Sequence, residues 1–236
     1  PYPNRGAAHR DAPRRGQRAA AMLPHLPDLP PGPTACQPCP HRQDRCHGRW
    51  CRSWQLNSGF RARGPTRRGS AGSADGQFND PYGIVEDGSG DIWVADRLNN
   101  RIQEFDPAGN FMQSISFSAP IGLAVDGSDN LYVTRTNNLV YKIDQSGAAL
   151  LTIGTSGSGA GQFANPSDVA IDHATGDIYV TDYNSAKFLK YNSAGDFQWE
   201  VGSNGSGDGQ FNYPTGVVVS GSTVYVTDDN NNRVQA

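Results

Sequence analysis

Four copies of one pattern occupy the chain from Gly76 to Ala236. The clearest copy, GQFANPSDVAIDHATGDIYVTDYN, has a Gly-Gln-Phe lead, a proline, an apolar run, an Asp- and Gly-rich turn and a second apolar run. The matching prolines are 39, 46 and 48 residues apart, at Pro81, Pro120, Pro166 and Pro214. Periods of about 40–50 residues with several short apolar runs are typical of propellers and repeat arrays.

Each complete copy predicts four strands. In the third copy they are predicted at 168–172, 177–181, 187–191 and 197–201. The first two are nearly continuous apolar, as expected of strands covered on both faces, whereas the outer two alternate. This gradient is typical of a propeller blade. We therefore predict an all-β propeller with three full blades and a partial fourth, since no fourth strand follows Val234.

Strands that alternate in direction place the polar loops on one face. The loops between the second and third strands share a face with the connections between blades, by topology alone. These loops are predicted at 96–101, 135–138, 182–186 and 228–233. Loops on a rigid scaffold carry function disproportionately, so this face is the better candidate for binding.

The copies resemble NHL repeats. The family pattern runs from Gln-Phe-x-x-Pro through a strand ending in Val-x-Asp to Asn-Asn-Arg and an apolar triplet. The first copy matches at Gly76-Gln77-Phe78, Pro81, Val94-Ala95-Asp96 and Asn99-Asn100-Arg101-Ile102, and the fourth at Gly209-Gln210-Phe211, Pro214, Val226-Thr227-Asp228 and Asn231-Asn232-Arg233-Val234. The third copy keeps Asp182 but has Ala186-Lys187, and the second has Arg135 for the Asp and Leu139 for the Arg.

The resemblance covers about residues 72–236 and implies an NHL-type propeller. Such propellers usually have six blades, so we expect an incomplete ring, an arc whose end blades each have one bare face, rather than closure at four. We expect the repeat Asp to accept hydrogen bonds from its own loop and the repeat Arg to donate to loop carbonyls. The three phenylalanines Phe78, Phe163 and Phe211 are expected to fill gaps between blades.

Residues 1–70 differ sharply from the repeats. They contain 13 Arg and 3 Asp, a net charge of +10, and no Lys, Glu, Ile or Val. Residues 71–236 contain 20 acidic and 7 basic residues, a net charge of −13. Eleven prolines and the missing strand formers leave residues 1–70 unable to build a core. We interpret them as a disordered segment or, equally, as a spurious translation, and residues 71–236 as the partial propeller.

All four cysteines lie in this first segment, at Cys36, Cys39, Cys46 and Cys51. A zinc site is one reading of the CxxC pair, but the spacing matches no standard finger or ribbon. The turns 87–91 and 126–130 resemble calcium loops without a bidentate Glu and are interpreted as hairpin turns. We predict no metal and no other cofactor.

The resemblance also implies enzymes to consider: the peptide-amidating lyase, the streptogramin lyase and gluconolactonase-like hydrolases. The first two rely on histidines, and the repeats contain only His173, on the face opposite the loops. Some NHL domains bind RNA through a basic face, but the charge of −13 opposes phosphate binding. No apolar run approaches the roughly 20 residues of a membrane span.

The leading hypothesis is a non-catalytic scaffold that binds a protein, peptide or glycan. Its predicted contacts are Arg97, Asn99, Asn100, Arg135, Asn137, Tyr183, Asn184, Asp229 and Asn230. No catalytic residue is assigned. The alternative is an enzyme of the lyase or lactonase type with a metal in the central channel. The absence of cysteine and the scarcity of lysine in the repeats favour an extracellular or periplasmic location.

Overall fold

The computed structural model describes residues 69–236. This part is all-β, with one short 3₁₀ helix, Arg97–Asn99. The segment predicted as disordered or spurious lies outside the described residues, except for its last two positions, and so does the cysteine cluster.

Four antiparallel sheets form the blades, and each begins at one of the repeat prolines. The first blade follows the short strands β1 (Ser70–Ala71) and β2 (Gln77–Phe78) and consists of β3 (Pro81–Glu86), β4 (Ile92–Asp96), β5 (Arg101–Phe105) and β6 (Phe111–Ser116). The second consists of β7 (Pro120–Val125), β8 (Leu131–Arg135), β9 (Leu139–Ile143) and β10 (Ala149–Ile153).

The third blade follows β11 (Thr155–Ser156) and β12 (Gln162–Phe163). It consists of β13 (Pro166–Ile171), β14 (Ile178–Asp182), β15 (Lys187–Tyr191) and β16 (Phe197–Val201). The fourth consists of β17 (Pro214–Ser220), β18 (Thr223–Asp228) and β19 (Arg233–Gln235). The prediction of three four-stranded blades and a three-stranded fourth is confirmed, with the third-blade strands within two residues of their predicted starts.

The core lies between successive blades. One cluster joins Trp93 and Ile102 of the first blade to Leu131 of the second, and another joins the second and third blades. Phe163 and Phe211 lie in the second-to-third and third-to-fourth gaps, and their side chains are 0% and 2% exposed. Their predicted gap-filling role is confirmed. Phe78 is half-buried and contacts Phe105 of its own blade.

The innermost strands β3, β7, β13 and β17 pack against one another in that order. Their close approach requires a residue without a side chain at one position. A Cβ on Gly122 of β7 would lie 2.6 Å from the carboxylate of Asp168 and 3.0 Å from the carbonyl of Ser167. Within the described residues, β17 does not pack against β3 as the three successive pairs do, so the four blades form an arc.

The last blade has an exposed apolar face. In the third blade, Ala170, Tyr179 and Phe188 pack onto the fourth. Strand register places Val218, Tyr225 and Val234 at the same positions of the fourth blade, where they are 55%, 41% and 61% exposed. This is the bare face that the sequence predicted for an end blade.

Candidate functional site

The polar loops lie on one face of the arc, as the topology predicted. We call this the loop face and define it by residues 96–101, 135–138, 182–186 and 228–233 with the segments that lead into each blade. Each of the first three loops contacts a segment that leads into the next blade. In the first of these contacts, the backbone amides of Phe117 and Ala119 donate to the carbonyl and the side-chain oxygen of Asn100.

A buried aspartate organises the first loop. Asp96 is 0% exposed and accepts hydrogen bonds from the Asn79 amide at 2.7 Å and from Asn99 and Arg101 side chains at 2.8 Å each. Arg101 also donates to carbonyls of the Gly-Gln-Phe lead, at Ala74 and Gln77. The predicted roles of the repeat Asp and Arg are therefore observed, with one refinement: the arginine holds the lead segment rather than its own loop.

The fourth blade repeats this network. Asp228 is fully buried and accepts from the Asn212 amide and from Asn231 and Arg233. Burial alone would raise the pKa of Asp228, but these hydrogen bonds outweigh it and lower the pKa below its ordinary value. Asn99, at the same position as Asn231, has its side-chain amide bonded to Asp96 and to the Gly72 carbonyl, so its amide hydrogens serve the scaffold.

Arg97 stands at the edge of the first loop. Its guanidinium pairs with Asp80, with Nε 2.7 Å from Oδ2. The same guanidinium lies 4.8 Å from the ring centroid of Tyr82, whose side chain is 57% exposed. Arg97 is therefore partly exposed at the surface, where it contacts an acidic partner and one face of an aromatic ring.

Two tyrosines, from the third blade and from the segment that leads into the fourth, stack on this face. The rings of Tyr183 and Tyr213 are 4.3 Å apart and inclined by 17°. Burial raises the pKa of Tyr183, and Tyr213, Asp229 and Tyr82 raise it further. Asn184, Asp229 and Asn230 are exposed beside this pair.

Arg135 occupies the position that the buried aspartate has in the other blades. It pairs in register with Pro120, as Asp96 does with Pro81. Its guanidinium lies 5.8 Å from the ring centroids of both Phe117 and Tyr141. Asn137, which is exposed, donates to the Tyr141 hydroxyl at 2.9 Å.

Sequence reasoning missed Asp168, a carboxyl on the inner strand β13. One of its oxygens accepts from the Val217 amide of the fourth blade at 3.1 Å, and the other lies against Gly122 of the second. Burial raises the pKa of Asp168 to about 7, although hydrogen bonds from Val217 and Val169 act in the opposite direction. The first, second and fourth blades have Gly83, Gly122 and Gly216 at this place, a difference visible in the aligned repeats.

The sequence analysis likened the turn 87–91 to a calcium loop but missed Glu104, which completes a cluster of carboxylates there. Asp87 and Asp91 of the first hairpin turn and Glu104 of β5 have ligand atoms within 4.8 Å of one another. The second and third blades carry Lys142 and Lys190 in place of Glu104. These lysines pair with turn carboxylates at 2.8 and 2.7 Å. Oxygen ligands of this kind suit Ca²⁺, and Asp87 already accepts four hydrogen bonds from protein groups.

The face opposite the loops carries His173. This residue is exposed in the turn after β13, where the sequence placed it. An open groove of about 470 Å³ beside it is lined by Ile171, Asp172 and Ala174 of the third blade and Val219, Gly221 and Ser222 of the fourth. Within residues 69–236, no helix has the length and apolar character needed to cross a membrane.

Two family models match the chain. One is described as a 6-bladed beta-propeller and matches residues 121–202, and the other is the NHL repeat and matches residues 211–236. Among curated proteins, lin-41 of Caenorhabditis elegans is 50% identical over 52 residues, which are 22% of this chain and 4% of lin-41. Peptidylglycine alpha-amidating monooxygenase of Rattus norvegicus is 34% identical over 92 residues, 35% of this chain and 9% of that protein. The chain thus spans less than a tenth of these relatives.

Solved structures show the same fold. A nidogen/laminin complex superposes with a TM-score of 0.53 and 20% identity, covering 66% of this chain and 59% of that one. A streptogramin B lyase superposes with a TM-score of 0.50 and 19% identity, covering 66% and 53%. At these identities the similarity concerns the fold alone. The repeats, the four blades and the two family models together support an NHL-repeat β-propeller.

Proposed function

We propose that this propeller is a non-catalytic scaffold that binds a protein, peptide or glycan through its loop face. The observation that carries the proposal is the group of tyrosines at the surface of that face. Tyr183 and Tyr213 stack at 4.3 Å, and Tyr82 is 57% exposed beside Arg97. Tyrosine and arginine dominate binding energy at interfaces because they combine large apolar area with a polar end.

The polar residues around these rings provide specificity. Asn137, Asn184, Asp229 and Asn230 are exposed, and their loops are held by hydrogen bonds to the rigid blades. A preformed surface loses little conformational entropy on binding, which favours affinity. Asn99 contributes by holding the loop, so we assign it a supporting role in this proposal.

A peptide phage library and a glycan array provide defined ligands for the test. The double variant Arg97→Ala, Tyr183→Ala removes two half-buried side chains from the loop face. Met112→Ala is the matched control, because Met112 is 57% exposed on the outer strand β6. We expect ligands selected on the wild type to lose at least tenfold in affinity for the double variant and to keep their affinity for the control. Equal affinity for all three proteins would exclude the loop face.

The alternative is an enzyme of the lyase or lactonase type with a metal in the central channel. Asp168 favours it, because a carboxyl with a pKa near 7 suits acid–base chemistry at neutral pH. Metal content measured by mass spectrometry on protein purified without chelator separates the two proposals. A stoichiometric metal lost in Asp168→Asn supports the enzyme; an unchanged metal content in this variant counts against it.

A further inference from the structure

Arg135 is the one cation among residues 69–236 without a carboxylate partner. The other six lysines and arginines of this part of the chain form salt bridges: Arg97, Arg101, Lys142, Lys187, Lys190 and Arg233. Residues 71–236 include 20 carboxylates, so a guanidinium without a salt bridge is unexpected in this part of the chain. The Arg135 side chain also donates no hydrogen bond to any group of residues 69–236, so this part of the chain leaves its N–H donors available to a ligand.

The scaffold does not need an arginine at this position. Asp96, Asp182 and Asp228 occupy it in the other blades and hold the Gly-Gln-Phe lead through backbone amides. The second blade has no such lead, because β6 ends at Ser116 and β7 begins at Pro120. No lead segment therefore has to be held in the second blade, and this position does not require an aspartate.

Two aromatic rings hold the guanidinium in place. Phe117 and Tyr141 are 5.6 Å apart with planes at 79°, and Arg135 lies 5.8 Å from each centroid. Asn137 fixes the Tyr141 hydroxyl. Stacking against rings orients a guanidinium without using its N–H donors, and a planar guanidinium binds carboxylates with two parallel hydrogen bonds.

We propose that Arg135 anchors a carboxylate-binding site on the loop face, which takes the C-terminal or side-chain carboxylate of a peptide partner. The inference rests on the proposed function and names the chemistry of its ligand. A carboxylate carries one negative charge, whereas phosphate carries nearly two at neutral pH. Repulsion by a propeller with a net charge of −13 therefore disfavours phosphate more strongly.

The test is an NMR titration of the full ¹⁵N-labelled chain that follows the Arg135 Nε–Hε signal. Acetylglycine tests a terminal carboxylate, and acetyl-glutamic acid α-amide tests a side-chain carboxylate. Acetylglycinamide is the neutral control. We expect saturable shifts at millimolar concentration with one or both acids and none with the neutral amide. Inorganic phosphate is expected to bind at least threefold more weakly than the better acid.

Two variants separate the guanidinium from its charge. Arg135→Gln should abolish the saturable shifts of neighbouring backbone amides, and Arg135→Lys should weaken binding at least fivefold because it keeps the charge but lacks the planar pair of donors. Lys190→Gln is the control, since it removes the same charge from a paired side chain on the opposite side. Unchanged binding in Arg135→Lys and Arg135→Gln, shifts with the neutral amide equal to those with the acids, or tighter binding of phosphate would overturn the proposal.

The outcome is distinct from that of the proposed function. If carboxylates bind at Arg135 but no peptide or glycan binds the loop face, the scaffold proposal and the peptide partner fail, and only the carboxylate site stands. If peptides bind the loop face with the same affinity in wild type and Arg135→Gln, the scaffold proposal stands and this site fails.

Discussion

Replacing Glu104 with lysine is expected to stabilise the first blade. Glu104 is 8% exposed and lies with Asp87 and Asp91 in a cluster whose ligand atoms are within 4.8 Å of one another. In the next two blades a lysine stands at this place and pairs with a turn carboxylate at 2.8 and 2.7 Å. The substitution therefore introduces an ion pair that the fold already accommodates twice.

The magnitude follows from the distances. Two unit charges 4.8 Å apart repel by about 3.5 kcal/mol at an effective dielectric constant of about 20. Asp91 is partly exposed, so solvent screening reduces this repulsion. The salt bridge that a lysine at position 104 would form with a turn carboxylate adds only about 0.2–1 kcal/mol. We expect a net gain of about 1–2 kcal/mol in the free energy of unfolding, which corresponds to a rise in Tm of about 2–4 °C for each kcal/mol.

The pH dependence provides a second readout. Burial raises the pKa of Asp91 and of Glu104, and the neighbouring carboxylates raise both further, although Gln113 lowers that of Glu104. A carboxyl whose pKa is raised on folding binds more protons in the folded state, so stability falls as pH rises above the ordinary values of 3.8 and 4.5. The advantage of Glu104→Lys over wild type should therefore grow from pH 4 to pH 7.

Urea denaturation at several pH values, in buffer containing EDTA, measures both effects. Glu104→Gln should show the part of the gain that comes from removing one charge. Lys142→Glu, which replaces the salt bridge to Asp126 in the second blade by a repulsive pair of carboxylates, should be destabilising. If Glu104→Lys is no more stable than wild type at any pH from 4 to 7, the electrostatic explanation of this cluster is wrong.

Three further predictions concern packing and titration. Phe163→Ala should lower the free energy of unfolding by about 3–5 kcal/mol in urea denaturation, because the side chain is 0% exposed between two blades, whereas Met112→Ala should change it by less than about 0.5 kcal/mol. Gly122→Ala should lower Tm by several degrees, because its Cβ would lie 2.6 Å from a carboxylate oxygen, whereas Gly127→Ala, with no atom within 4 Å, should not; equal Tm values would contradict the close approach of the inner strands. Burial opposes ionisation of Asp126, but Lys142 and turn hydrogen bonds lower its pKa from 3.8 to about 2, so stability should fall as pH decreases from about 4 to about 2, and Asp126→Asn should lack this part of the acid-induced loss.

Local patterns were sufficient for the architecture. The repeated prolines mark where each inner strand begins, and the apolar runs between Asp- and Gly-rich turns correspond to the strands. Phe163 and Phe211 lie between blades as expected, because large apolar side chains at a repeated position must be buried at a repeated interface. The grouping of the polar loops on one face follows from alternating strand direction and required no coordinates.

The sequence by itself thus determined the fold class, the strands and the loop face, since periodicity and turn chemistry act over a few residues. Only the tertiary structure decided which polar groups meet. It brought Glu104 to Asp87 and Asp91, placed Asp168 between two neighbouring blades, and set Arg135 against two aromatic rings. These pairings depend on strand register and on the packing of one blade against the next, where a shift of one residue reverses the direction of every side chain.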